Sequence, residues 1–224
     1  GLGGLFTLKY TLGLSDYVIP PPGEIGHTAR TYAGPYSLAV LNTLAVAVLG
    51  HVLSIALAVL VAVAGRLTAW VGSFIRTAAY SVQAYPIVAV APIIFILLGD
   101  GLLSRLLIAA MICYFPLLLS FIGVFSEPVR EIEHFYDSTG RTSWRLQVRI
   151  RAFENMHKLA TVVVGSATMA VVGTIVAEFI AATAGIGYTV RVALYQSDLA
   201  KILVALFLIG VGTSLYLVLL EWLG

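Results

Sequence analysis

The chain alternates between long apolar runs and short polar breaks. Five runs stand out: Ser37–Ala64, Trp70–Leu98, Leu102–Phe125, Leu159–Ala182 and Leu199–Leu220. A helix needs about 20 apolar residues to cross roughly 30 Å of hydrocarbon, so each run is predicted to span a membrane. The second is interrupted by Pro86 and Pro92, and the third carries Pro116. Proline frees carbonyls in a helix, which is tolerated in a membrane where the backbone lines a cavity. Tyr85–Pro92 and Tyr114, Phe115 and Pro116 are therefore candidate pathway walls, with packing kinks as the other reading. Gly165, Ala170 and Gly173 in the fourth run predict a close helix–helix face.

Ahead of the first run, residues 17–36 hold Pro20–Pro22, Gly23, Gly34 and Pro35. This reads as an extended external connector with a short helix from Glu24 to Tyr32. Residues 1–16 read either as the remnant of a first membrane helix or as an interfacial segment.

The most polar stretch is Ser126–Lys158, between the third and fourth runs. Ser126-Glu127-Pro128 looks like a helix start. Gly140 suits a left-handed helix end. Thr142 and Ser143 suit the cap of a second short helix. The stretch is rich in Lys and Arg, which accumulate in cytoplasmic loops. Alternation then puts Gly65–Ala69 and the C-terminus inside, and places the proline connector, Gly99–Gly101 and residues 183–198 outside.

Composition narrows the class. The chain is 60% hydrophobic and 11% charged, with a mean hydropathy of +0.99. An average soluble domain is about 25% charged. An ordinary soluble enzyme, a disordered chain and a nucleic-acid-binding domain are excluded. A net charge of +2 is too mild to indicate an acidic partner. The single cysteine, Cys113, permits no internal disulfide and reads as a small buried hydrophobe. No phosphate-binding loop with a Walker lysine and no H-E-x-x-H motif occurs, and His27, His51, His134 and His157 are too scattered for a metal triad. No metal or cofactor is therefore expected on this chain.

Polar groups within the runs are the remaining candidates. A charge inside the bilayer costs roughly 2.5–3.5 kcal/mol on insertion scales, so Glu178 must face protein, water or a partner. It either lines a path or outer gate, or is hydrogen-bonded between helices or to the Gly185–Tyr188 loop. His51 is either a neutral packing residue or a cargo contact. Asn42 and Gln83 read as interhelical hydrogen-bonders. Gly185-Ile186-Gly187-Tyr188 reads as a flexible external turn, at an outer gate or merely reversing the chain.

Several motifs then agree in order. Around Gly140 the spacing is similar to E-A-A, three residues, Gly, nine residues, Ile, one residue, Leu-Pro, with Ile150 at the isoleucine. His134, Phe135 and Tyr136 stand at the E-A-A positions, Ala152-Phe153 at Leu-Pro, and Trp144 and Leu146 at an aromatic and a leucine common in the pattern. Tyr17–Ile25, Ala84–Pro92 with Leu98–Gly101, Tyr114-Phe115-Pro116, Val176-Ala177-Glu178-Phe179 and Ala184–Tyr188 also match in sequence order. Together they resemble permease subunits of ABC importers, of the nitrate/sulfonate/taurine-type branch, from about residue 17 to the end.

The resemblance implies an all-α, polytopic membrane protein of about five to six transmembrane helices, in the type I importer permease fold. Residues 37–224 would be the permease domain, in the cell (inner) membrane, with a cytoplasmic coupling loop at 126–158. Two ATP-binding subunits would dock there on His134, Phe135, Tyr136, Gly140, Trp144, Leu146 and Ile150. ATP and Mg would sit on those partners. A second permease subunit, identical or not, and an external substrate-binding protein would complete the importer. His51, Tyr85, Pro86, Pro92, Tyr114, Phe115, Pro116, Glu178, Gly185, Gly187 and Tyr188 would be pathway or gate candidates. The implied cargo is a small solute: nitrate, bicarbonate, a sulfonate such as taurine, an aromatic acid or a vitamin precursor. An integral membrane enzyme and a passive channel or scaffold are the competing readings.

Overall fold

A computed structural model describes residues 2–16, 19–83, 86–140 and 143–223. Among these the chain is all-helical, with α1 (Leu2–Leu12), α2 (Pro22–Ala64), α3 (Ala69–Gln83), α4 (Ile87–Leu98) and α5 (Leu102–Ser126) in the first half. The second half holds α6 (Arg130–Ser138), α7 (Trp144–Glu154), α8 (Met156–Ile180), α9 (Ile186–Tyr195) and α10 (Leu199–Leu223). Among the described residues, four helices are long and apolar enough to cross a membrane: α2, α5, α8 and α10. The protein is thus a multi-pass membrane protein.

The boundaries differ from expectation at four places. The connector ends early, because α2 begins at Pro22 and runs 43 residues without a break. Pro22 occupies the first helical turn, where a missing N–H costs nothing; Pro35 is accommodated inside. At 1.5 Å per residue α2 is about 65 Å long, roughly twice the hydrocarbon thickness, so one end projects beyond it. The expected span Trp70–Leu98 holds two shorter helices, α3 and α4, the second starting just after Pro86. Ser126 ends α5 rather than starting α6, which begins at Arg130. The Gly185–Tyr188 segment is no flexible turn: Ile186 starts α9, and Gly185, Ile186 and Gly187 are all buried.

α5 is the central helix, packed against α2, α3, α4, α7 and α8. Small residues make the closest crossing. Ala47, Gly50, Ser54, Ala58 and Ala62 form a buried stripe on α2 at helical spacing. A Cβ on Gly50 would lie 2.9 Å from Ala109 Cβ of α5. Gly173 does the same for α8, where a Cβ would lie 2.9 Å from Ile112 Cδ1 of α5. Gly173 and Ala170 therefore belong to a face buried within the chain, whereas Gly165 is exposed. In a membrane, such close approach replaces the hydrophobic effect as the source of packing energy.

Candidate functional site

The polar stretch folds into a helical hairpin, α6 and α7, reversing at Gly140 with φ +67°. That conformation is left-handed and favours glycine. Ser143 caps α7, its hydroxyl accepting the Leu146 amide at 3.3 Å. The outer surface of the hairpin carries aromatic side chains among charged ones: Phe135 is 63% and Trp144 36% exposed. His134 is also exposed, while Tyr136, Leu146 and Ile150 are half-buried. The rings of Phe135 and Tyr136 pack edge to face, and the Arg145 guanidinium lies 5.4 Å over the Trp144 ring.

Beneath this surface lies an ion pair that the charge pattern did not single out. Arg151 donates from Nε to Glu133 Oε1 at 2.6 Å and from Nη2 to Oε2 at 2.7 Å. Its Nη1 donates to the Phe125 carbonyl, at the end of α5, at 2.7 Å. Glu133 Oε1 also accepts the Val129 amide at 3.0 Å, capping its own helix. Both side chains are buried. The Arg151 hydrogen bonds hold the Glu133 carboxyl below the usual carboxylate range, more strongly than burial raises it. Arg66, just past α2, donates to Gln147 Oε1 on α7 at 3.3 Å. Burial, then the Arg151 charge, lowers the Arg66 guanidinium from its ordinary value. The two charged partners are 18 residues apart and on different helices, so no single helical period reveals them.

At the opposite end lies a polar hub around Glu178, which is fully buried. Its Oε2 accepts from Thr43 Oγ1 at 2.7 Å and from the Gly187 amide at 3.1 Å. Arg105 Nη1 lies 3.5 Å from Oε1 and donates to Asn42 Oδ1 at 2.7 Å. Thr43 Oγ1 in turn accepts the Ile186 amide at 2.8 Å. The first amides of α9 are therefore capped by side chains from α2 and α8, as free helix N-termini require. Only glycine fits at the junction. A Cβ on Gly185 would collide with the Glu178 carboxylate, and one on Gly187 with the Ile175 carbonyl oxygen. Glu178 thus faces protein. Arg105, in the first turn of α5, is buried against it. Nearby, Asp100 accepts the Thr183 amide at 2.9 Å, tying the α4–α5 and α8–α9 loops together.

A third polar group sits between these ends. His51 is 1% exposed. Its Nε2 lies 2.8 Å from Ser166 Oγ and its Nδ1 2.7 Å from Tyr216 Oη. Ser166 donates its proton to the Val163 carbonyl at 2.9 Å, so it accepts from His51 Nε2–H. The histidine thus joins α2, α8 and α10, with both ring nitrogens held by hydroxyls.

The other sequence candidates are dispersed. Tyr114, Phe115 and Pro116 are half-buried in an unbroken α5. Pro86 and Pro92 are exposed, Tyr188 is half-buried beside Arg191, and Gln83 is exposed at the end of α3. Tyr85 lies outside the described residues. Thr43, Arg105, Ser166, Tyr216, Glu133 and Arg151 were missed as functional candidates. Their signal was a polar side chain in or beside an apolar helix, which names a need for partners but not the partners.

Residues 54–224 match the model for binding-protein-dependent transport system inner membrane components. The chain is similar to the riboflavin transport system permease protein RibX of Chloroflexus aurantiacus, 33% identical over 124 residues, which are 55% of this chain and 46% of that protein. It is also similar to the formylaminopyrimidine transport permease protein ThiX of Halalkalibacterium halodurans, 25% identical over 201 residues, 87% of this chain and 78% of that protein. The chain therefore spans about half the length of the first relative.

Proposed function

The chain belongs to the binding-protein-dependent transport system inner membrane component family, and from that premise we propose that it is the permease subunit of an ATP-driven importer for a small nitrogen heterocycle of the vitamin or vitamin-precursor class. Family membership makes it a membrane transport component, not an enzyme. The names of the two relatives, which describe riboflavin and formylaminopyrimidine transport, support the cargo class. Neither name points to nitrate, a sulfonate or taurine.

One observation carries the mechanism: an amphipathic hairpin with an aromatic outer surface is inserted between two membrane-length helices, α5 and α8. Three residues, Glu127–Val129, separate the end of α5 from α6, and a single residue, Asn155, separates α7 from α8. Displacement of the hairpin is thus delivered directly to both spans as rigid-body motion. In this reading two partner ATPases hold ATP and Mg²⁺ and dock on His134, Phe135, Tyr136 and Trp144. The hairpin is cytoplasmic, the Glu178 end faces outward, and an external binding protein delivers cargo to that end. A second permease subunit completes the pathway.

Reconstitution with the cognate ATPase and binding protein tests the reading. Riboflavin and formylaminopyrimidine serve as probes in proteoliposomes. Accumulation against a gradient, dependent on ATP and on the binding protein, is the expected result. Equilibration without ATP would make the chain a passive channel and overturn it.

A further inference from the structure

We propose that Glu133 and Arg151 are positioning residues for energy coupling: they lock α6, α7 and the end of α5 into one body. This rests on the importer reading, because it assigns the route by which the hairpin's movement reaches the spans.

The argument is geometric. A hairpin of two short helices joined at a glycine has an intrinsic hinge. Among the described residues, α6 and α7 share few other close contacts, and the Phe135 ring packs on Tyr136 of its own helix. The Arg151 guanidinium closes the hinge with all three of its nitrogens. Two grip the Glu133 carboxylate as a fork, fixing direction as well as distance. The third holds a backbone carbonyl of α5. The carboxylate in turn grips the first turn of α6 through the Val129 amide. Arg66 adds a fourth contact through Gln147, from the end of α2. A push on the aromatic surface then moves the ends of α5 and α2 with it. Without the pair, the same push would bend the hairpin at Gly140.

A buried pair is seldom the most stable solution, and well-packed apolar side chains often replace one without loss of stability. The double variant Glu133→Leu/Arg151→Met is therefore expected to insert and to bind the ATPase at unchanged stoichiometry. In the reconstituted complex, riboflavin accumulated per ATP hydrolysed should fall about tenfold, the size expected of a lost coupling element. Basal hydrolysis should be unchanged, since both side chains are buried beneath the hairpin's surface. An unchanged transport-to-ATP ratio in the double variant would overturn the proposal while leaving the importer reading intact. Failure of the unsubstituted complex to accumulate riboflavin or formylaminopyrimidine with ATP strikes the importer reading instead.

A second measurement needs no variant at the pair. Spin labels at exposed Asp137 of α6 and Arg149 of α7 report the hairpin's internal distance. Between nucleotide-free and nucleotide-trapped complexes that distance should change by less than about 2 Å, the scale of packed-helix shifts. A larger change shows that the hairpin flexes, and refutes the lock.

Discussion

At the scale of single residues, charges in this protein act through the partners that enclose them. Glu133→Gln leaves the Arg151 guanidinium buried without its counter-charge, an arrangement that costs about 3–5 kcal/mol. The expected outcome is a lower unfolding midpoint and faster proteolysis within α6–α7, whereas the apolar double substitution is much milder. The pair also predicts an acid limit. Because the folded Glu133 carboxyl titrates below its unfolded value of about 4.3, its contribution is complete above that value. It is lost as the pH falls through the lower, folded value. Thermal unfolding of the unsubstituted protein should therefore weaken below about pH 4, and Glu133→Gln should flatten that part of the profile. Glu178→Gln removes the charge opposite Arg105 and should alter transport more than Arg30→Gln does, since Arg30 is exposed. Equal effects would mean that Glu178 serves architecture alone. That a lone membrane carboxylate must be enclosed was legible in the sequence; that Thr43 and Arg105 enclose it was not, because they are contributed by distant helices.

At the scale of elements, glycine decides which helices come close. Gly50→Ala places a Cβ 2.9 Å from Ala109 Cβ and 3.3 Å from the Ala110 amide nitrogen, so backbone must shift. A loss of about 1–3 kcal/mol is expected, the usual cost of overpacking. Gly165→Ala, with nothing within 4 Å of the new Cβ, should be nearly neutral. Thermal unfolding in detergent separates the two. Four of the five expected spans and the hairpin were legible because apolar length and amphipathic period act locally. Ser143 and Gly140 announced the hairpin's inner ends for the same reason. The start of α2 was misread because three consecutive prolines look like a barrier. The last of them instead sits at the one helical position that welcomes it. The α9 segment was misread because two glycines suggest flexibility. Here they allow a tight fit against α8, which only the assembled fold makes visible.

At the scale of the whole molecule, the two ends of the bundle are differently built. One carries an exposed hairpin with aromatic side chains, and the other ties four helices to a single carboxylate. Phe135→Asp or Gly140→Trp should leave the protein inserted and abolish the stimulation of ATP hydrolysis by the binding protein. Normal uptake in both variants would remove the hairpin from the coupling route. The carboxylate end bears on biogenesis as well. Thr43 is synthesised 143 residues before the Ile186 amide that it receives, and Glu178 nine residues before the Gly187 amide. A ribosome paused between these points holds a half-finished bundle whose acid has no amide to grip. Completion of the nascent chain is thereby registered inside the bilayer: a product released early lacks the α9 amides that complete the hydrogen bonding of Glu178 and Thr43, a defect by which membrane proteases could tell it from the finished one.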